Sequence, residues 1–320
     1  MRNSCKGWQK VRIEYQLCSF LSYIIVYRNK NRRIHYFMAR FTNQAQLRYG
    51  NAIANSNIAV GEILEVLSAT KTAVRNNYGR NDTITYLVSV VNAGNTAFTG
   101  LTLTDNLGAY GYNTQTLVPL HYIDGTVKYY SNGTLQAAPA VTAGPPLVIS
   151  GLTVPANGSI VIAYETDVNE YAPLDVEAEI VNTATIRGTG ITPVTVQETV
   201  SAGSEPILTI TKSISPVPVT ENGTLTYTFL IQNTGNVAVE EAAASVVTDQ
   251  FNPILSNLTV TFNGTVWAET TNYTYNEDTG LFSTVPGQIT VPAATFAQDE
   301  QTGAWNVTPG VSTLVITGTI

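Results

Sequence analysis

The sequence is poor in the residues from which catalytic and metal sites are built. It has two cysteines, Cys5 and Cys18, and two histidines, His35 and His121, among 320 residues. Both cysteines lie before residue 38, so residues 38–320, called the body, can form neither a disulfide nor a thiolate metal site. The body also lacks a Gly-x-Ser-x-Gly elbow, a phosphate-binding loop and a histidine-rich metal motif. These absences predict a protein that is not an enzyme and that holds no cofactor or metal ion.

Positive charge is scarce outside the first 37 residues. That segment holds eight of the 16 lysines and arginines but only one of the 23 acidic residues. The body therefore carries 8 basic and 22 acidic side chains, and no lysine or arginine follows Lys212. A surface of this kind repels nucleic acid and anionic membranes. We exclude both as partners and expect no membrane insertion of the body.

Residues 1–37 differ in composition from the body, which indicates a non-native upstream extension or a poorly ordered leader. They are basic and aromatic, with the apolar run LCSFLSYIIVY at 17–27. A basic start before a short apolar core is typical of a signal peptide, but RNKNRR follows it where small residues would mark a cleavage site. The run is also short for a membrane helix. We hypothesise that Met38 is the true start, which leaves the chain without a clear export signal.

The body has no convincing helical stripe of apolar residues and instead repeats itself. LSATKTAVRNNYGRNDTITYLVSVVNAGN (67–95) matches LTITKSISPVPVTENGTLTYTFLIQNTGN (208–236) without a gap. Further along, VPANGSIVI (154–162) is aligned with TPGVSTLVI (308–316). Self-similarity of this kind indicates a repeat architecture. At the offset of 141, the matched pairs are Lys71 with Lys212, Tyr86 with Tyr227, Asn92 with Asn233 and Gly94 with Gly235.

Each repeat alternates apolar and polar residues with the period of a strand. DTITYLVSVVN and GTLTYTFLIQN are rich in Thr, Val, Ile and Tyr, which favour a half-buried pleated surface. Asn-Gly pairs between such runs suit two-residue hairpins. We predict an all-β fold of tandem immunoglobulin-like antiparallel β-sandwiches, the first at 67–203 and the second at 204–320. Tyr86 and Tyr227 are expected to bury their rings and to bond their hydroxyls to turns.

The order of the motifs resembles a bacterial surface repeat. The chain has TK at 70, TY at 85, NAGN at 92, TD at 104, ANGS at 156 and VNTAT at 181. Residues 41–320 are in this respect similar to the domain-of-unknown-function-eleven family. The resemblance implies an immunoglobulin-like sandwich that serves as a stalk or array in large surface and secreted proteins, and so an extracellular or cell-surface location. It implies no settled biochemical activity.

The two ends of the body depart from this pattern. IVNTATIRG at 180–188 is interpreted as the last strand of the first repeat, and the second repeat lacks its counterpart. A near-copy, FTNQAQLRYG, lies at 41–50 within an N-terminal strand or linker, residues 38–66. One explanation is a truncated gene or fragment. Another is that this strand joins a sandwich of its own chain. The third is self-association by strand exchange, in which the strand fills the open repeat of a neighbouring copy.

Lys71, Asp105 and Asn182 form one chemically specific candidate site. They resemble the set that joins a lysine to an asparagine as an isopeptide in pilin and adhesin modules, aided by an acid. The lysine must be neutral to attack, and the acid must be protonated to polarise the amide, and burial favours both. We place Lys71 in the first strand and Asn182 in the last, which are commonly neighbours. The alternatives are a solvated lysine, a turn-forming aspartate and an asparagine bonded to backbone. The equivalents in the second repeat are Lys212, Asp249 and, from this chain or another, Asn43.

These observations predict a structural role at a bacterial surface, as a stalk, scaffold or adhesin spacer. The alternative is a carbohydrate- or protein-binding module, whose partner would be a surface protein or glycan. That function needs exposed aromatic side chains, and the candidates are YGYN at 110–113, YY at 129–130 and NYTY at 272–275. Tyrosine in strands more often packs half-buried.

Overall fold

The computed structural model describes residues 38–49 and 52–320, and these are almost entirely β-structure. The predicted all-β fold class is confirmed. The interpretation of residues 1–37 as a leader or upstream extension lies outside the described residues. The only helical turn among those described is a 3-10 turn at Glu241–Ala243. None of the helices in the described part of the chain has the length and apolar character needed to cross a membrane.

The described part of the chain begins with a long hairpin, called the N-terminal hairpin, whose described residues are 38–49 and 52–64. Its outer strands pair antiparallel with each other, and so do its inner strands. Within the part of the chain that the structure describes, none of these strands joins a larger sheet. The strands are β1 (Met38–Asn43), β2 (Gln46–Tyr49), β3 (Ala52–Asn55) and β4 (Ala59–Leu64).

The first sandwich contains 14 strands in two sheets and a small hairpin. They are β5 (Leu67–Ala73), β6 (Asn77–Tyr78), β7 (Thr83–Asn92), β8 (Phe98–Asp105), β9 (Tyr110–Tyr112), β10 (Gln115–Leu117), β11 (Leu120–Tyr122), β12 (Lys128–Ser131), β13 (Thr134–Leu135), β14 (Ala140–Thr142), β15 (Leu147–Val154), β16 (Gly158–Val168), β17 (Glu179–Arg187) and β18 (Val194–Ala202).

The strand order of the first sandwich is that of an immunoglobulin domain with one main strand added. One sheet runs β13-β12-β16-β7-β5, with β11 also on β16, and the other runs β14-β15-β8-β17-β18-β6. Strands β5, β7, β16 and β12 take the A, B, E and D positions, and β8, β17 and β18 take C, F and G. Strand β15 is the addition beside β8. All pairs are antiparallel except the short one between β6 and β18.

The core of the first sandwich follows from the two-residue period of its strands. Along β7 and β16 every second side chain is buried between the sheets. Tyr86 and Tyr164 lie opposite each other on these strands, and their rings stack with centroids 5.8 Å apart. Leu103 and Ile149 face them from the second sheet and are fully buried. This core surrounds the candidate site.

The second sandwich is built from the remaining strands. One sheet runs β19-β20-β28-β22-β23, and a short sheet runs β21-β25-β24. In the described residues, no strand takes the positions that β17 and β18 occupy in the first sandwich. The strands are β19 (Leu208–Ser215), β20 (Thr224–Asn233), β21 (Thr248–Gln250), β22 (Ser256–Phe262), β23 (Thr265–Trp267), β24 (Tyr273–Asn276), β25 (Leu281–Thr284), β26 (Thr295–Gln298), β27 (Trp305–Thr308) and β28 (Gly310–Thr319).

The strand pairing corrects one sequence alignment by two residues. Asn92 pairs with Gly158 in the first sandwich, and Asn233 pairs with Gly310 in the second. The equivalent of Tyr164 is therefore Ile316, which pairs with Tyr227. Aligning 154–162 with 308–316 is wrong because the turns before these two strands differ in length.

The repeated asparagine of the NxGN motif has a structural reason. In each sandwich its amide is fully buried and closes the turn that follows the second main strand. Asn92 donates to the carbonyls of Thr96 and Pro155 and accepts the Gly94 N–H. The same three bonds join Asn233 to Val237, Pro292 and Gly235.

Asn182 does not lie in the last strand of its sandwich. It belongs to β17, and β18 follows and pairs with it antiparallel, with Asn182 opposite Glu198. Nor do the strands of Lys71 and Asn182 pair, since β5 and β17 belong to different sheets. The two residues can meet only across the interior of the sandwich, where their side chains point.

Candidate functional site

Lys71 is buried in the first sandwich as an ion pair. Its strand, β5, turns Lys71 inward, and its side chain and that of Asp105 both have 0% exposed surface. The Nζ atom lies 2.5 Å from Asp105 Oδ2 and 4.8 Å from the centre of the Tyr86 ring. Lys71 is therefore not a solvated lysine at a strand end.

Asp105 connects the site to the turn that follows β8. Its Oδ1 accepts the backbone N–H of Leu107 at 2.9 Å, so it does form a turn. Its Oδ2 accepts both Lys71 Nζ and the hydroxyl of Tyr164. A carboxylate with this many donors is held in one orientation, pointing at the amine.

Asn182 contributes a side-chain amide to this cluster, and the amide is unpaired. It is fully buried, and neither its Oδ1 nor its Nδ2 has a hydrogen-bond partner in the described structure. The hydroxyls of Tyr86 and Tyr164 face this side chain. A buried polar group without a partner costs about 1–3 kcal/mol. Asn182 is therefore not the backbone-bonding residue of the alternative interpretation, and its burial calls for another explanation.

Two tyrosines complete the site. Sequence reasoning missed Tyr164, because its place in the site depends on the register of β16 against β7, which puts it opposite Tyr86. The ring of Tyr86 is buried, as expected, but its hydroxyl bonds to no turn and has no partner among the described residues. That part of the prediction is wrong, because the hydroxyl points into the cluster.

Burial sets the protonation behaviour of the site. Desolvation lowers the pKa of Lys71 from 10.5 to about 8, although the neighbouring Asp105 and the more distant Glu198 oppose the shift. Desolvation also raises the pKa values of Tyr86 and Tyr164 above the usual 10. The phenols therefore stay neutral, while the amine loses its proton more easily than an exposed lysine does.

The Lys71 pKa leads to a pH prediction for a variant in which Lys71 keeps a free amine, Asn182→Ala. Because the pKa is about 8 when folded and 10.5 when unfolded, the unfolded state binds more protons between these values, and stability rises with pH. We expect the first sandwich to gain stability from pH 8 to about pH 10. Above pH 10 the raised pKa values of the buried tyrosines reverse the trend. Urea unfolding across this range measures it, and a flat or falling profile would contradict the buried amine.

The second sandwich holds an open version of the site. Lys212 and Asp249 form an ion pair, but their side chains are 38% and 17% exposed. Lys212 lies 4.2 Å from the ring centre of Tyr227. Ile316 replaces the tyrosine that binds the carboxylate in the first sandwich. Asn43 lies in the N-terminal hairpin and not at this site.

The tyrosine clusters proposed for sugar binding are packed rather than presented to solvent. Tyr129 and Tyr273 are buried, and the Tyr129 hydroxyl donates to the Thr153 carbonyl. Tyr110 and Tyr275 are half-buried, and both donate to backbone carbonyls. The expectation of exposed aromatic platforms is wrong, because every tyrosine of these three segments is buried or half-buried. Across the described residues, no three His, Cys, Asp or Glu side chains cluster as metal ligands.

Comparisons with known proteins found distant likenesses among solved structures. No family model and no curated protein matches the chain. Among solved structures, the pilus backbone protein RrgB of Streptococcus pneumoniae is 14% identical, with a TM-score of 0.32, over 76% of this chain and 55% of that one. The major pilin BcpA of Bacillus cereus is 12% identical, with a TM-score of 0.32, over 85% and 73%. Red sea bream transglutaminase, an enzyme, is 15% identical, with a TM-score of 0.27, over 77% and 31%.

The chain thus spans about half the length of the pilus backbone structure. Pilins and an enzyme match it equally weakly, so function has to be inferred from its own residues.

Proposed function

We propose that this chain is a non-catalytic structural module of a bacterial surface, a stalk, scaffold or adhesin spacer of the domain-of-unknown-function-eleven kind. Its first sandwich is closed by an isopeptide bond between Lys71 Nζ and Asn182 Cγ, with Asp105 as the assisting acid. The observation that carries the proposal is the buried, unpaired amide of Asn182 in the same cluster as a buried lysine and aspartate.

The bond forms without any other reactant. A proton passes from Lys71 to Asp105 across their 2.5 Å contact, giving a neutral amine and a carboxylic acid. The amine attacks Cγ of Asn182 while the acid polarises Oδ1. The Cγ–Nδ2 bond breaks as the Nζ–Cγ bond forms. The amine nitrogen gives up two protons in all: one leaves on ammonia, and the other stays on Asp105.

The surroundings suit this reaction. The lowered pKa of Lys71 reduces the cost of the neutral amine. The Tyr164 hydroxyl fixes the carboxyl of Asp105, and the burial of the side chains of Lys71, Asp105 and Asn182 excludes the water that would compete as a nucleophile. Forming the bond also removes two free-energy penalties of the unreacted cluster, the buried ammonium of Lys71 and the buried unpaired amide of Asn182.

Intact-mass measurement of the full chain tests the proposal. We expect the wild type to be lighter than its sequence by one ammonia, and Lys71→Ala and Asn182→Ala each to have the mass of their sequence. Lys128→Ala, which removes an exposed lysine of the same sandwich, should stay one ammonia light. Fragmentation should recover one peptide pair joined through residues 71 and 182. A folded wild type at its full sequence mass would refute the bond.

A further inference from the structure

The second repeat carries an insertion at one of its turns. In each sandwich the buried asparagine of the NxGN motif binds a proline carbonyl, that of Pro155 in the first and that of Pro292 in the second. The strand that follows begins with a glycine that pairs with the same asparagine. Residues 156–157 connect these two points in the first repeat, whereas residues 293–309 connect them in the second.

A shared hydrogen bond shows where the insertion begins. In the first repeat the N–H of Asn157 donates to the Gly94 carbonyl, and in the second the N–H of Ala294 donates to the carbonyl of Gly235, the equivalent glycine. Ala294 therefore takes the position of Asn157. The extra residues are 295–309, called the clasp, and they form the hairpin of β26 and β27.

The clasp does not serve the core of its own sandwich. The buried cluster of the second sandwich extends to Val291 before the clasp and resumes at Leu314 after it. In the described residues, β26 and β27 pair with each other and with no other strand. Gly303, in the turn between them, is nevertheless buried. Its cover has to come from outside the second sandwich.

Hydrogen bonds join the clasp to the first sandwich. The N–H of Trp305 donates to the Glu170 carbonyl at 2.8 Å, and the carbonyl of Trp305 accepts the guanidinium of Arg80. The side-chain amide of Gln298 donates to the Tyr110 hydroxyl at 3.0 Å. The backbone of β27 is thus bonded to the first sandwich through both its donor and its acceptor.

The hairpin of β9 and β10 receives the clasp. In the described structure this hairpin also pairs with no other strand. Leu117 at its end is 4% exposed and lies outside the core cluster of the first sandwich. The clasp covers it, since a Cβ added at Gly303 would overlap the Leu117 side chain. The Gln115 side-chain amide donates to the Gln301 carbonyl at 3.1 Å. The YGYN segment at 110–113 therefore has a partner within its own chain.

We propose that the clasp fixes the two sandwiches in one orientation, so that they act as a rigid unit and do not hinge at the linker, residues 203–207. Relative motion is the default for domains joined by a short linker, unless their interface opposes it. The linker end has its own contact, in which Asn236 donates to the carbonyls of Leu174 and Gly203. A cleft of about 530 Å³, lined by both linker and clasp residues, lies between the two attachments.

Two separated attachments oppose both bending and rotation, whereas the linker contact alone would act as a hinge. The inference stands on these contacts and does not depend on the Lys71–Asn182 bond. For the stalk or spacer of the proposed function, a fixed orientation would keep the two repeats from folding back on each other.

The distance between the sandwiches tests the proposal. Spin labels on Leu135→Cys in the first sandwich and Val266→Cys in the second report it, because both residues are exposed. Cys5→Ser and Cys18→Ser keep the label from the chain's own cysteines. In the full chain we expect pulsed electron resonance to give one narrow distance distribution.

Three changes to the clasp contact should each broaden this distribution. Deleting residues 295–309 together with Ala294→Asn gives the second repeat the turn PANG of the first. Gly303→Val and Leu117→Asp disrupt the contact from its two sides without touching either core cluster. Gln301→Ala is the matched control, because it changes an exposed side chain of the clasp and keeps the bonded carbonyl. We expect the control to keep the narrow distribution.

A broad distribution in the unaltered clasp background would overturn the proposal, because the sandwiches would hinge in spite of the clasp. A narrow one in the deletion variant would overturn it too, since the linker alone would then hold the orientation. Amide exchange of β7 and β20 checks that both sandwiches stay folded. If the deletion variant fails this check, Gly303→Val and Leu117→Asp decide the question: broadening supports the clasp and a narrow distribution refutes it.

Discussion

Replacing Asn182 with alanine is expected to lower the melting temperature of the first sandwich by roughly 15 °C. The Lys71–Asn182 bond closes a loop of about 110 residues, and a cross-link of that span stabilises by about 4.7 kcal/mol in the chain-entropy model. The variant cannot form the bond. It also leaves Lys71 as a buried amine beside Asp105.

The sign of the change is as informative as its size. Without a bond, the substitution would remove a buried amide that has no partner, and the melting temperature would stay level or rise. With a bond, the same substitution is strongly destabilising. A drop therefore supports the cross-link, and a rise rules it out.

The measurement must separate the two sandwiches. Amide exchange of β7 and β16 reports the first sandwich, and amide exchange of β20 and β28 reports the second. Thr183→Ala is the matched control, because it changes the half-buried neighbour of Asn182 and keeps the cross-link. We expect the control to stay near the wild type and the exchange of β20 and β28 to be the same in both variants.

The sequence was informative where a local pattern determines the structure. The two-residue alternation of DTITYLVSVVN predicted β7, and the gap-free match at an offset of 141 predicted that β20 would repeat it. The same match identified Lys71, because both repeats keep a lysine in the first strand. Asp105 was identified by a separate match, the Thr-Asp pair that recurs at Asp249 with three residues inserted. Strand period and repetition can be recognised in the sequence without a structure.

The pairing of strands that are distant in the sequence was harder to predict. Tyr164 belongs to the site only because its strand lies opposite Tyr86 in register, and the sequence carries no mark of that register. Asn182 was assigned to the last strand because VNTAT is conspicuous, whereas β18, with its alternating VTVQETV, is not. In the described residues, the second sandwich therefore lacks counterparts of two strands, β17 and β18, and not of a single strand.

Replacing Asp105 with alanine is expected to be more damaging than replacing Asn182. Asp105→Ala prevents the bond, because the assisting acid is gone, and it also removes the carboxylate that contacts Lys71 in the described structure. Breaking a buried ion pair from one side costs about 3–5 kcal/mol, because the remaining charge is uncompensated. The Tyr164 hydroxyl and the Leu107 N–H lose their acceptor as well. Urea unfolding followed by exchange of β7 measures the difference.

The double variant Lys71→Met with Asp105→Ala separates these contributions. It lacks the bond, as both single variants do, but it leaves no buried charge, so we expect it to recover most of the 3–5 kcal/mol and to approach Asn182→Ala in stability. Should Asp105→Ala equal Asn182→Ala without this rescue, water reaches Lys71 and the amine is not desolvated. Such a result would remove the physical basis for a reactive lysine, because the lowered pKa comes chiefly from burial.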